Sequence, residues 1–303
     1  MNLKNIVVLI FIFIIAGCSN SEVKKSDPKE ENYSIIRGIN AAENGKYNEA
    51  ITEFEKAYTI NKKNIITVRA LGLAYSKAGD LKKGEEYFKE ALVIDEFDTE
   101  TLYNYAILKY EEKKYDEALQ LLNKIKIQNI DKKIIAAKGG IYYKKGDYEN
   151  CYKEISKIIG DNIVYPQEFY IIYIDSMKNS GRANLQYEFI YKKYKENKEN
   201  IIFVTIFKNY LDEIGAYEES EKVVKEYGEQ KGYTTSILIM LAETAINSKK
   251  IESAKEYIEQ ISEEENMNVN VLGIKAAYYR AAGMNSEAER YENILKNVRG
   301  SEK

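Results

Sequence analysis

The chain has 303 residues, 45 basic and 48 acidic side chains, a formal net charge of −3, 27 tyrosines, two cysteines and no histidine. Evenly mixed, slightly acidic charge excludes a nucleic-acid binder, and the missing histidine excludes His-based triads, His metal sites and His proton switching. Only Pro28 and Pro166 interrupt the chain, in keeping with near-continuous helix.

In chain order, a polar start carrying Lys4 leads into an apolar run from Ile6 to Ile15 and then to Ala16-Gly17-Cys18. Ten apolar helical residues span roughly 15 Å, half a hydrocarbon core, so this run reads as a signal-peptide core and not as a spanning helix. Ile15-Ala16-Gly17 ahead of Cys18 resembles the bacterial lipobox, departing from it only in having Ile where Leu is usual. The resemblance implies that residues 1–17 are removed and that Cys18 becomes an acylated N-terminal residue, because two or three chains anchor stably where one does not. It also implies an exported protein on a membrane. With Ser and not Asp at position 19, this is the outer membrane in a diderm cell and otherwise the outer face of the cell membrane. Loss of Lys4 leaves 44 basic against 48 acidic groups, about −4. Residues 18–32, with the polar string SNSEVKKSDPKEEN, cannot bury enough surface to fold and are expected to form a flexible tether of roughly 20 Å reach. The folded domain is then 33–303. Cys151, left without an internal partner, forms no intramolecular disulfide.

Beyond the tether a turn signal recurs at Gly45, Gly79, Lys113, Gly146, Gly181, Gly215, Lys249 and Gly283, at separations of 34, 34, 34, 33, 35, 34 and 34. A fixed period of this length is the mark of a helical solenoid. With the turn residue as position 15, the units are 31–64, 65–98, 99–132, 132–165, 167–200, 201–234, 235–268 and 269–302. Each should hold one helix to about position 14 and a second over about 18–31. Position 8 is small in six of eight units (Gly38, Gly72, Ala106, Gly139, Ala242, Ala276), and position 20 is small in seven. Position 24 is bulky: Phe54, Phe88, Leu122, Ile155, Ile190, Val224 and Ile258. Small residues at 8 and 20 let the two helices approach closely, and the bulky residues fill the space around them. Where Lys113 and Lys249 replace glycine, the turn should cost a little more.

This pattern resembles the tetratricopeptide repeat, best in the second unit with Leu71-Gly72, Tyr75, Gly79-Asp80, Phe88, Ala91 and Asp95. The resemblance covers about 270 residues. It implies an all-α fold, an α-solenoid forming a right-handed superhelix of about eight helix-turn-helix units. The pattern weakens in the fifth unit, where Ile174 and Gln186 stand at the small positions and a bend or a break between two sub-arrays is an alternative, and in the sixth, where Lys208 does. Cys151, at a small position, should be a buried inert thiol. Glu263-Glu264-Glu265 should be a solvated loop. The periodicity ends at Val298, leaving Arg299–Lys303 as a polar tail.

In such arrays the first helices line a concave groove through positions 2, 5, 9, 12 and 13. Here they supply Arg69, Leu73 and Lys77, then Tyr103, Ile107 and Tyr110, then Lys133, Tyr143 and Lys144. Aromatic and basic residues suit a protein or peptide partner. A chaperone-type carboxylate clamp is matched by Arg69, Asn104 and Lys133 but not by Leu73 or Ala137, so the clamp is incomplete. Farther along, Asp175, Asn209, Asp212, Glu213 and Glu243 give an acidic face. The expected function is a membrane-anchored protein-interaction scaffold of the cell envelope. Carriage of a glycan or lipid in the same groove is the alternative. No phosphate loop, nucleophile elbow or metal spacing is present, so neither catalysis nor a cofactor is expected.

Overall fold

A computed structural model describes residues 28–125, 131–160 and 163–301. The signal segment, the lipobox with Cys18, and the tether up to residue 27 lie outside the described residues. Sixteen α-helices and no strand occur among the described residues, and the helices follow one another as eight pairs. The first four pairs are α1 (Pro28–Glu43) with α2 (Tyr47–Ile60), α3 (Ile65–Lys77) with α4 (Leu81–Ile94), α5 (Thr99–Glu111) with α6 (Tyr115–Lys124), and α7 (Lys132–Lys145) with α8 (Tyr148–Ile155). The others are α9 (Gln167–Asn179) with α10 (Gln186–Glu196), α11 (Ile201–Glu213) with α12 (Tyr217–Lys231), α13 (Thr235–Asn247) with α14 (Ile251–Glu259), and α15 (Val269–Ala281) with α16 (Asn285–Ser301). None of these helices is long and apolar enough to cross a membrane.

The chain divides into two compact units, one up to Val164 together with Asp175–Ser180, the other Tyr165–Ile174 together with Gly181 onward. The division runs through α9 of the fifth repeat, where the repeat pattern is weakest. There a 3-10 turn, Ala183–Leu185, precedes α10. Gln186, at the small position, is buried and donates its side-chain amide to the Ile174 carbonyl at 2.9 Å, so a polar side chain is accommodated by pairing it.

Local chemistry places the helix boundaries. Asn64, Asp80, Asp98, Asp131 and Asp147 accept backbone N–H groups at the starts of α3, α4, α5, α7 and α8, satisfying donors that the helix leaves orphaned. The turn residues adopt positive φ, and Lys113 (63°) and Lys249 (62°) do so without being glycine. A left-handed lysine costs about 1–2 kcal/mol. Part of this is offset by the backbone freedom that glycine would lose on folding. Lys113→Gly is therefore expected to raise stability by about 0.5–1 kcal/mol in a denaturant titration.

Three expectations are corrected. Residues 28–32, expected to be flexible, are helical from Pro28: Pro is tolerated in a first turn, Glu30 and Glu31 favour the N-terminal dipole, and buried Glu31 accepts Asn64 Nδ2 at 2.6 Å. The second helix of the fourth repeat stops at Ile155, after eight residues, and turns follow it. The tail is helical through Ser301, with Arg299 in the last turn where a cation suits the dipole. Glu263–Glu265 forms one largely exposed 3-10 turn.

The core follows the small-against-large register. A Cβ added at Gly38 would lie 2.5 Å from the Phe54 ring, at Gly72 2.7 Å from Phe88, and at Gly139 2.5 Å from Ile155. Cys151 is fully buried, and burial, the largest cause, pushes its thiol up to about 12. In a Cys18→Ser chain no thiol is expected to react with a disulfide reagent until denaturant is added. Cys151→Trp should cost about 1–3 kcal/mol by overpacking, measured as a lowered melting temperature.

Two lysines are buried as ion pairs. Lys109 Nζ lies 2.8 Å from Glu85 and 2.9 Å from Glu112. Lys208, at the small position of repeat six, lies 2.8 Å from Glu243 and 3.2 Å from Asp212. Burial pushes the Glu85 carboxyl up, but hydrogen bonds from Lys109, Lys89 and Tyr105 outweigh it and hold it at about 2. Lys225 first, with Tyr257 and Lys250, brings Glu221 to about 2 against the opposing effect of burial.

These depressed carboxylates contribute stability that is present above their unfolded values and lost as pH falls toward about 2. At the other end, Tyr58 (hydrogen-bonded to Glu90, then buried) and Tyr103 (buried, near Glu100) are pushed up to about 12. Their contribution is complete below the ordinary tyrosine value of about 10 and lost as pH rises toward 12. Without histidine, the melting temperature should be flat between about pH 5 and 9. A step near pH 6–7 would overturn that reading.

Candidate partner-binding groove

Within the first compact unit the first helices of repeats two and three, α3 and α5, pack on each other, so their inner-position side chains share one face. Most of the basic groups there are tied to carboxylates of their own or an adjoining repeat. Arg69 reaches both Asp98 oxygens, at 3.1 and 2.8 Å. Asp98 also accepts the Thr101 N–H and hydroxyl. Burial pushes the Asp98 carboxyl up, while Thr101 and Arg69 draw it down, with a net lowering. Lys77 lies 3.6 Å from Glu111, and Lys133 lies 4.0 Å from Glu100. The Lys133 ammonium also sits 4.0 Å from the centre of the Tyr103 ring, a cation–π distance.

The tyrosines are half-buried. Tyr110 meets Tyr115 at 5.8 Å between ring centres, and Tyr143 meets Tyr148 edge-on at the same distance. The Tyr143 hydroxyl donates to Asp175 Oδ2 at 2.7 Å; burial first, and this bond second, push it up to about 12. Ile107 is half-buried beside them. Four of the expected residues keep polar groups unclaimed among the described residues: the Tyr103 and Tyr110 hydroxyls, the half-buried Asn104 amide and the exposed Lys144 ammonium. The face is thus aromatic and nearly neutral, with two hydroxyls, one amide and one cation available.

Sequence reasoning missed the partners Asp98, Glu111 and Glu100, and with them the neutralisation. The signal was present in the period, since Lys77–Glu111 and Glu100–Lys133 are separated by 34 and 33 residues, about one repeat. In the second unit Asn209, Glu213 and Glu243 are exposed, but Asp212 is held by Lys208 and accepts the Thr244 hydroxyl and the Asn247 amide. Lys208 therefore offsets part of the acidic charge expected there. No group of three His, Cys, Asp or Glu side chains is placed to hold a metal ion among the described residues.

The tetratricopeptide repeat family profile matches residues 38–64 and 70–98. The chain is 23% identical, over a 328-residue alignment, to TPR repeat-containing protein MJ1428 of Methanocaldococcus jannaschii, covering 90% of this chain and 53% of the other. It thus spans about half the length of this curated relative. A tetratricopeptide repeat protein of Parabacteroides merdae superposes with a TM-score of 0.53 at 15% identity, over 89% of this chain and 99% of that one. The helical pairs and their turn residues agree with these likenesses: two stretches, 38–64 and 70–98, match tetratricopeptide repeats, and the fold is an all-α solenoid of helix pairs.

Proposed function

We propose that this protein is an exported scaffold, acylated at Cys18, that docks a protein or peptide partner on the first-helix face of repeats two to four. The observation that carries the reading is the half-buried strip Tyr103, Ile107 and Tyr110 with the unclaimed Asn104 amide beside it. Because Arg69, Lys77 and Lys133 are already paired, the partner is held by aromatic contact and amide hydrogen bonds more than by charge. Binding should therefore weaken only modestly with salt.

A photo-crosslinker at Tyr110 in the native cell is expected to yield one dominant protein adduct that is absent when it replaces Lys89 on α4. No adduct at Tyr110 would overturn the docking face. Cys18→Ser is expected to release the protein from the membrane fraction; a variant retained as fully as wild type would overturn the anchor.

A further inference from the structure

The two edges of the first compact unit differ, and the difference bears on which edge faces a membrane. Successive helices from α1 to α6 are joined by three or four residues, at 44–46, 61–64, 78–80, 95–98 and 112–114. Connections this short make each helix antiparallel to the one before it. The starts of α1, α3 and α5 therefore share one edge with the connections 61–64 and 95–98, and the glycine or lysine turns occupy the opposite edge.

Exposed apolar side chains gather on the first edge. Val93 and Ile94 end α4, with Val93 87% exposed, and Phe97 in the following connection is 49% exposed. Ile66, the second residue of α3 and so beside the end of α4, is 46% exposed; Tyr33, in the second turn of α1, is 57% exposed. The turns 44–46, 78–80 and 112–114 carry no exposed large apolar residue. Charge on the apolar edge is balanced: Lys62 and Lys63 stand against Asp95 and Glu96, while Asp98 is bound by Arg69. The first 27 residues, with the proposed acylation site, join the body at Pro28 on this same edge.

We infer that this edge, centred on Val93, Ile94 and Phe97, rests in the lipid interface as a second membrane contact of the body. The inference rests on the proposed Cys18 anchor. Two or three apolar side chains give a weak contact alone. Even fully extended, the ten residues from Cys18 to Pro28 reach about 35 Å at most, which keeps the edge near the bilayer and makes even a weak contact effective. Balanced charge means that insertion of apolar groups, not attraction to anionic headgroups, drives the contact. The turn edge then points away from the lipid.

The acylated full chain, purified from its own membranes and reconstituted on phosphatidylcholine vesicles, tests this. An environment-sensitive fluorophore is placed at Glu96→Cys and, separately, at Lys82→Cys on the turn edge; Cys151 is buried and should stay unlabelled. The probe at 96 is expected to shift to the blue and to be reduced several-fold more slowly by dithionite than the probe at 82. Val93→Glu with Phe97→Glu should abolish that protection while the protein still floats with the vesicles. Co-flotation with the probe at 96 as reactive as that at 82 would overturn the lipid contact and leave the anchor standing. Absence of co-flotation would overturn both. Protection seen in native-membrane vesicles but not in pure lipid would assign the edge to a protein and overturn the lipid reading.

Discussion

Lys109→Met is expected to lower unfolding stability by about 3 kcal/mol, near the lower end for breaking a buried ion pair. The Lys109 side chain is 2% exposed, with Glu85, Glu112 and Glu117 at 2.8, 2.9 and 3.6 Å. Methionine preserves most of the volume, so the loss reports charge and not a cavity. The lower end applies because Glu85 keeps Lys89 at 2.8 Å and the Tyr105 hydroxyl, and Glu112 keeps Lys114 at 3.2 Å. Burial disfavours the charged lysine, but the hydrogen bonds it donates to Glu85 and Glu112 outweigh it and raise its pKa. Adding Glu85→Gln to Lys109→Met removes the stranded carboxylate and should recover at least half the loss. A single variant within 1 kcal/mol of wild type in urea titration would show that the cluster is no more than a surface network. The consequence reaches the groove, because Lys109 lies on α5 with Tyr103, Ile107 and Tyr110 and ties that helix to Glu85 on α4.

Phe88→Ala should cost about 3–5 kcal/mol, the range for emptying an aromatic site in a core. Phe88 is 1% exposed and its ring lies over Gly72, where a Cβ would come within 2.7 Å of Cδ1, 2.8 Å of Cε1 and 3.1 Å of Cγ. Those atoms belong to a rigid ring, so Gly72→Ala alone should cost about 1–3 kcal/mol. Gly72→Ala combined with Phe88→Leu gives the methyl somewhere to go, and the two should be coupled by about 1 kcal/mol or more in a double-mutant cycle. Strict additivity would show that the helices separate freely and that the small position does not set their distance. The same test at Gly139 and Ile155 would probe the repeat that carries Cys151.

The repeat was legible because it depends on side-chain size at fixed spacing. A glycine at position 8 must face a bulky residue at position 24 whatever the rest of the chain does, and Gly38–Phe54, Gly72–Phe88 and Gly139–Ile155 each show it. Turn residues were legible for a similar reason, since the left-handed backbone is a local demand that even Lys113 and Lys249 meet. Helix ends were less so: α1 begins at Pro28, inside a string too polar to predict a fold, because Glu31 finds Asn64 one repeat away.

Groove membership followed from the period as well, but not the electrostatic character of the groove. Arg69, Lys77 and Lys133 read as free cations along the chain. Packing sets a carboxylate of its own or an adjoining repeat against each of them, which neutralises most of the positive charge and leaves Asn104 and Lys144 unclaimed. By itself, then, the sequence determined the repeat length, the helical pairing, the small-against-large core and the lipobox-like start, all properties of neighbours in the chain or of a strict period. Tertiary structure alone decided which charges cancel, which lysines are buried, and which edge carries the exposed apolar residues. Those depend on side chains about thirty residues apart meeting in space, where Coulomb attraction and desolvation act over a few ångströms and not along the sequence.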